Sequence, residues 1–190
     1  MNKAVMASIQ PYYVFVIIAK YMGWNIPQDK KVELRKNFPK DKDWNKKVNI
    51  YCSKNKKSFN RIPKEYQPLM RPFLGKVIGA FICDNVETYD YGYCDGVDID
   101  DDTIIETMLD REEINIYAKG KNLYGWHISQ LKIYDKPREL SVFRISRQCK
   151  EKDCEKCNRR RGKYTCDKRL NHPFQSWGYV EELEVKYENT

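Results

Sequence analysis

Three ionisable side chains, Lys30, Glu33 and Arg35, have the spacing of one strand. Val32 and Leu34 alternate with Glu33 and Arg35, which is the period of two expected of a half-buried strand. The alternation predicts that the two apolar residues face a core and that the charged residues project from the opposite face. A carboxylate between two cations stays ionised and holds both of them in place. Such a triad could bind a phosphate, a carbonyl oxygen or an exocyclic amine, and the alternative interpretation is an ordinary charged strand face.

Four cysteines in the short basic segment 144–173 have the spacing of a metal site. Two of them form a Cys-x-x-Cys knuckle, which lets two thiolates reach one tetrahedral ion. The segment has few apolar residues, so we expect a structural zinc ion to supply the energy that folds it. The predicted zinc ligands are Cys149, Cys154, Cys157 and Cys166, with His172 as an alternative fourth ligand. A basic loop with incidental cysteines, or a disulfide, would be the alternatives.

The same segment is crowded with Lys and Arg, and only a few carboxylates oppose them. A basic lobe held together by zinc would suit the phosphate backbone of a nucleic acid. The predicted nucleic-acid contacts are Arg159, Arg160, Arg161 and Lys163. The alternative is a solvated run of charge.

Length and composition indicate one ordinary domain, residues 1–190, that carries this segment as an insert. Hydrophobic residues make up 41% of the chain, and Lys plus Arg (35) exceed Asp plus Glu (27), a net charge of +8 that suits a polyanionic partner. The N-terminal region does not resemble a signal peptide, and the apolar run Val14–Ala19 is too short to span a bilayer. Seven cysteines without an export signal indicate reduced or metal-bound thiols. We therefore expect a cytoplasmic protein without a membrane partner.

Local patterns predict where the regular elements lie. Pro11 at the first helical position and Gly23 as a left-handed cap predict a helix that ends near Met22. Gly79 predicts a bulge or a bend within its strand. The predicted strands, beside the one that carries the triad, are Ala4–Ile9, Val48–Cys52, Gly75–Cys83 and Leu123–Tyr134, and further helices are predicted near Thr103 and over Arg111–Tyr117.

The order of these pieces resembles that of the ASCH domains, a branch of the PUA-like RNA-binding folds. The ASCH motif is Gly-x-Lys-x-x-Glu-x-Arg after a first helix, and Lys30, Glu33 and Arg35 fall at its Lys, Glu and Arg positions, while Gln28 replaces the Gly. The other resembling segments are Ser8-Ile-Gln-Pro, Val48–Ser53, Val77–Ile82, Trp126–Pro137 and Gln175–Glu182. The resemblance covers most of the chain except the insert. It implies an α+β fold: a small, mostly antiparallel PUA-like β-barrel of about five or six strands with flanking helices, the first of which packs across one opening.

The resemblance also implies a binding module for RNA or a nucleotide. PUA-like barrels hold a base or a short RNA segment in a cleft beside the first helix, and Lys30, Glu33 and Arg35 would line it. Tyr51 and Trp126 are predicted to stack on a base there, as are Tyr12 and Trp177.

The alternative that the resemblance offers is an enzyme. Some ASCH relatives hydrolyse the amide of acylated cytidines, and others cleave RNA. The amidohydrolase type uses a Lys at the position of Lys30 with a Thr and a Glu, but Glu33 stands at the Thr position here. A metal-independent ribonuclease could use Lys30 and Glu33 as acid and base, with His127 as a helper. A third possibility is an interaction protein that sequesters a partner, as small proteins of mobile elements such as phages often do.

Overall fold

The chain folds into a mixed α+β structure with three sheets. The structure is a computed structural model that describes residues 4–38, 45–92, 96–148, 157–160 and 163–182. Within these ranges, no helix is long and apolar enough to cross a lipid bilayer.

A large sheet forms the body of the molecule, with strand order β11-β12-β10-β13-β1-β3-β4-β9. Strands β1 and β3 pair in parallel, and the other neighbouring strands in this sheet pair antiparallel. In chain order its strands are β1 (Ala4–Ile9), β3 (Lys46–Cys52), β4 (Val77–Cys83), β9 (Ser129–Arg138), β10 (Phe143–Gln148), β11 (Cys157–Arg160), β12 (Lys163–Arg169) and β13 (Trp177–Glu182).

Two smaller sheets, five α-helices and two short 3₁₀ helices (Arg71–Phe73 and Leu140–Val142) complete the described fold. A three-stranded sheet has the order β2-β8-β5, and a two-stranded sheet pairs β6 with β7. Their strands are β2 (Val32–Arg35), β5 (Val86–Tyr89), β6 (Tyr91–Gly92), β7 (Gly96–Val97) and β8 (Leu123–His127). The helices are α1 (Pro11–Ile18), α2 (Lys56–Phe59), α3 (Gln67–Met70), α4 (Asp101–Thr107) and α5 (Arg111–Ala118).

Helix α1 is the apolar helix that the sequence predicts, but it is shorter. Pro11 occupies its first turn, and every side chain from Val14 to Ile18 is buried in the main core. The helix ends at Ile18, and the following turn runs to Gly23, which adopts the predicted left-handed conformation with φ of 69°.

The predicted strand Leu123–Tyr134 is wrong in one respect, because it is two strands in two different sheets. The break lies at Ile128, whose amide donates to the carbonyl of Lys31 at 2.8 Å. Gln130 then adopts a left-handed conformation with φ of 45°, which turns the chain out of the small sheet. Strand β8 consequently pairs with β2, whereas β9 pairs with β4.

The arrangement of the strands differs from the barrel that the resemblance implies. In the described part of the chain, the strands form open sheets, with β9 and β11 at the two edges of the large one. The predicted mixed, mostly antiparallel architecture is confirmed, but no closed barrel is seen there. The predicted bulge at Gly79 is confirmed, since the register of β4 against β9 shifts next to it. A Cβ at Gly79 would lie 2.4 Å from the carbonyl oxygen of Lys132.

Part of the predicted insert 144–173 continues the large sheet. Strand β12 pairs with β10, and β11 pairs with β12, so the segment adds two strands beyond β10. Cys157 and Cys166 are register partners in this hairpin. Arg159, Arg160 and Lys163 lie in its strands. Three predicted site residues, Cys149, Cys154 and Arg161, lie outside the described residues.

Candidate functional site

A cavity of about 870 Å³ opens between α1, β2, α5 and the chain that leads into β13. Its lining includes eight charged side chains, six cations and two carboxylates. The cations are Lys30, Arg35, Lys36, Lys57, Arg61 and Lys119, and the carboxylates are Glu33 and Glu113.

The predicted triad lies on the floor of this cavity. Glu33 bridges the two cations: its Oε1 lies 3.0 Å from an Arg35 terminal nitrogen, and its Oε2 lies 3.5 Å from Lys30 Nζ. Only 3% of Lys30, 7% of Glu33 and 5% of Arg35 is exposed. The alternative interpretation, an ordinary solvated strand face, does not hold, because Glu33 and Arg35 are buried.

The two faces of β2 meet different packing partners. Val32 and Leu34 pack in the cluster built around Ile114. Glu33 pairs in register with Trp126, which is fully buried, and the Arg35 guanidinium lies 6.0 Å from the centre of the Trp126 ring. Trp126 thus lies under the triad within the main core rather than at the cavity surface.

Arg35 connects β2 to the chain around it. One terminal nitrogen donates to the carbonyl oxygen of Ser176 at 3.2 Å, and the other donates to the carbonyl oxygen of Ser8 at 3.1 Å. Its Nε is buried and has no hydrogen-bond acceptor among the described residues. Buried polar atoms normally find a partner, so this unpaired donor is an exception in the packing around the triad.

Lys30 is held by a backbone carbonyl as well as by the carboxylate. Its ammonium donates to the carbonyl oxygen of Thr107 at 2.5 Å, at the end of α4, and lies 5.2 Å from the centre of the Tyr13 ring. Burial lowers the pKa of Lys30, and the negative charge of Glu33 opposes this effect. A buried amine at the floor of a cleft is the kind of group that functional sites tune.

Two tyrosines that the sequence analysis did not single out border the cavity. Burial raises the pKa of Tyr13, although the hydrogen bond from Arg61 opposes the shift, and burial also raises the pKa of Tyr117. Both hydroxyls therefore stay protonated near neutral pH. Lys36 Nζ lies 5.0 Å from the centre of the Tyr117 ring. No local pattern marks these residues, because α1 and α5 come together around the cavity only in the folded chain.

The rim near Tyr117 carries a cluster of lysines. Desolvation lowers the pKa of Lys36, and the charges of Lys119 and Lys121 lower it further. Such unrelieved repulsion between like charges favours a bound anion.

Two predicted site residues lie away from the cavity. His127 is the register partner of Val32, so it faces the opposite side of β8 from Trp126, and it lines a separate cavity of about 260 Å³. Its Nδ1 lies 2.6 Å from a carboxylate oxygen of Asp84. Tyr51 is only 4% exposed and packs in the core cluster around Phe143. The structure thus brings Lys30, Glu33 and Arg35 together without these two.

No group of three or more potential metal ligands occurs among the residues that the structure describes. Two of the four predicted zinc ligands fall outside those residues, so the zinc site stays a prediction. Cys52 and Cys83 are free and buried, and burial raises the pKa of each thiol to about 12.

Comparison with known proteins gives a likeness in structure alone. No family model matches the sequence, and no curated protein matches it. Three matching structures are of an ASCH protein from Zymomonas mobilis. The unmutated protein is 16% identical over 73% of this chain and 74% of its own, with a TM-score of 0.45. A Tyr-to-Phe variant is 15% identical over 73% of this chain and 77% of its own, with a TM-score of 0.46. A Ser-to-Ala variant is 16% identical over 73% of this chain and 75% of its own, with a TM-score of 0.47. Function therefore has to be inferred from the cavity itself.

Proposed function

We propose that the central cavity binds a nucleotide unit of single-stranded RNA. The observation that carries the proposal is a cavity of about 870 Å³ in which cations outnumber carboxylates and tyrosines stand at the edge. Ligand sites for small molecules have volumes of roughly 300–1,000 Å³. A nucleotide combines an anionic phosphate with a flat base, and this lining offers a partner for each.

The chemistry divides between the floor and the rim of the cavity. The triad at the floor offers fixed charged groups to the edge of a base or to a sugar oxygen. Lys36 and Lys119 at the rim suit phosphate oxygens. Tyr117, which is 37% exposed, offers a ring face on which a base can stack.

Replacement of Tyr117 tests the proposal. Stacking on an aromatic ring contributes about 1–3 kcal/mol per base, so Tyr117→Ala should weaken binding of a fluorescently labelled 12-nucleotide single-stranded RNA about fivefold or more. The matched control is Tyr21→Ala, because Tyr21 is 54% exposed and does not line the cavity. Fluorescence anisotropy would measure both dissociation constants. Equal effects of the two variants, or no binding by the wild-type protein, would refute the proposal.

A metal-independent hydrolase acting on RNA or a modified nucleoside is the second candidate. The observation that favours it is the buried Lys30 amine, whose pKa burial lowers, at the floor of the cavity. Lys30 and Glu33 would then supply the acid and the base.

The variant Lys30→Met separates the two candidates, with the exposed neighbour Lys31→Met as control. A catalytic role predicts that turnover of a labelled RNA, or of an N4-acylated cytidine, is lost while the nucleotide still binds. A binding role predicts no turnover by any variant and a modest loss of affinity.

A further inference from the structure

The mouth of the cavity holds an ion pair between Arg61 and Glu113. Arg61 follows α2, and Glu113 lies in the first turn of α5. A terminal nitrogen of Arg61 lies 3.2 Å from Glu113 Oε1, and this contact joins two segments that both line the cavity. The two side chains are 42% and 36% exposed, so solvent or a ligand can reach the pair.

The guanidinium of Arg61 is oriented by aromatic contacts that do not need Glu113. It lies 4.3 Å from the centre of the Tyr12 ring and 5.6 Å from that of Tyr13, and it donates to the Tyr13 hydroxyl at 3.3 Å. These cation–π contacts and the hydrogen bond hold the guanidinium in place. Arg61 is therefore positioned to hold an anion in its fork even when the carboxylate is absent.

Glu113 differs from the other carboxylate of the cavity. Glu33 is buried and held by two cations, whereas Glu113 has one cation partner among the described residues. Its second oxygen accepts from the amide of Asp110 in a capping box. The Arg61–Glu113 contact is a half-exposed pair, and such pairs are weak because water screens them.

A phosphate group would be the stronger partner for Arg61. It carries more negative charge than a carboxylate, and its oxygens match the guanidinium fork in a bidentate contact. The Tyr13 hydroxyl accepts from Arg61 and keeps its own proton, so it can donate to an oxygen of the same phosphate. Lys57 lines the same cavity and adds positive charge.

We propose that Arg61, Tyr13 and Lys57 form a phosphate subsite, and that Glu113 occupies this subsite as an internal competitor until a phosphate displaces it. The inference rests on the proposed function in that the phosphate is taken to belong to the bound nucleotide. It assigns to Glu113 a role opposite to that of a binding residue: Glu113 weakens the binding of anions and thereby excludes weakly charged ligands.

The decisive variant is Glu113→Gln. Glutamine can still serve in the capping box, so the fold should persist, and thermal melting would verify this. Removal of the competing charge should tighten binding of inorganic pyrophosphate about three- to fivefold, the range expected when a half-exposed ion pair is removed. NMR titration of the Arg61 Nε–H resonance, assigned by its loss in Arg61→Met, would give the dissociation constant.

Two controls isolate the local effect. Glu112→Gln removes the same charge from the same helix at an exposed position that does not line the cavity. It should change affinity much less than Glu113→Gln. In the Arg61→Met background, Glu113→Gln should not raise the affinity for pyrophosphate, because the cation for which Glu113 and phosphate compete has been removed.

The outcomes distinguish this inference from the proposed function. If Glu113→Gln raises the affinity for pyrophosphate only when Arg61 is present, the subsite is supported even if RNA does not bind. In that case only the proposed function fails. The subsite is overturned if Glu113→Gln weakens the binding of pyrophosphate, or if Glu112→Gln changes the affinity by the same amount. It is also overturned if Glu113→Gln still raises the affinity in the Arg61→Met background. Binding of RNA without any response of Arg61 to pyrophosphate would likewise overturn it.

Discussion

The triad Lys30, Glu33 and Arg35 both stabilises the fold and lines the cavity. Lys30 and Arg35 are buried cations, and Glu33 contacts both of them. Removal of one member of a buried ion network leaves charges without compensation, which costs far more than the loss of a solvated pair.

We therefore expect Glu33→Ala to lower the free energy of unfolding by about 3–5 kcal/mol. The control is Glu106→Ala, which removes the exposed pair with Lys31, where the contact distance is 3.9 Å and both side chains are more than a third exposed. That change should cost no more than about 0–1 kcal/mol. Urea unfolding would measure both. Equal, small losses in the two variants would instead support the alternative interpretation of an ordinary solvated strand face.

Lys30 should titrate at a lower pH than the exposed lysines, because burial lowers its pKa. Glu33 opposes the shift, so Glu33→Gln should lower the pKa of Lys30 further. The unfolded chain binds this proton more tightly than the folded chain does. Burial of the ammonium therefore costs stability below the folded pKa, and the cost is relieved as the pH rises toward the unfolded value of about 10.4. Titration of the Lys30 13Cε shift would test this, and co-titration with the surface lysines would contradict it.

At the scale of elements, local signals predicted β1, α1 and β4 well. Pro11 and Gly23 mark the start of a helix and a left-handed turn whatever surrounds them, and Gly79 marks a bulge. The alternation of β2 identified its strand, but it could not show that a second layer covers the charged face. Arg61 and Glu113 come from distant segments, and no spacing in the sequence reveals their contact.

The hairpin β11–β12 leads to a prediction about zinc. Register partners in an antiparallel pair lie about 4.5–5.5 Å apart at Cα, which places Cys157 close to Cys166. We expect protein purified without chelator to contain near-stoichiometric zinc by elemental analysis, and Cys157→Ser to lose it.

Thiol alkylation supplies an internal reference for this experiment. Cys52 and Cys83 should resist iodoacetamide in the folded protein with or without chelator, because burial raises their thiol pKa values to about 12. The four predicted ligands should react only after chelation. Free reaction of all four in untreated protein would exclude the zinc site.

At the scale of the whole molecule, the excess of Lys and Arg predicts salt-sensitive RNA binding. Each phosphate contact contributes about −0.7 to the slope of log affinity against log salt for a single strand. Reversal of Lys36, Lys119 and Lys121 to Glu should flatten this slope. Reversal of Lys20, Lys64 and Lys132, exposed lysines that do not line the cavity, should leave it nearly unchanged.

The insert is tested in the same assay. Reversal of Arg159, Arg160 and Arg161 to Glu should weaken binding across sequences and flatten the slope if the insert extends the contact surface. An unchanged slope would confine the contact to the cavity rim.

The position of β1 in the large sheet has a consequence for how the chain reaches its native state. Strand β1 lies between β3 and β13, and Ala4 is opposite Val180. One side of β1 can pair with β3 early, but the other side stays open until β13 has been synthesised, more than 170 positions after Ala4. Contacts between residues so distant in sequence slow folding. During translation, the nascent chain therefore exposes an apolar strand edge of the kind that chaperones protect from aggregation.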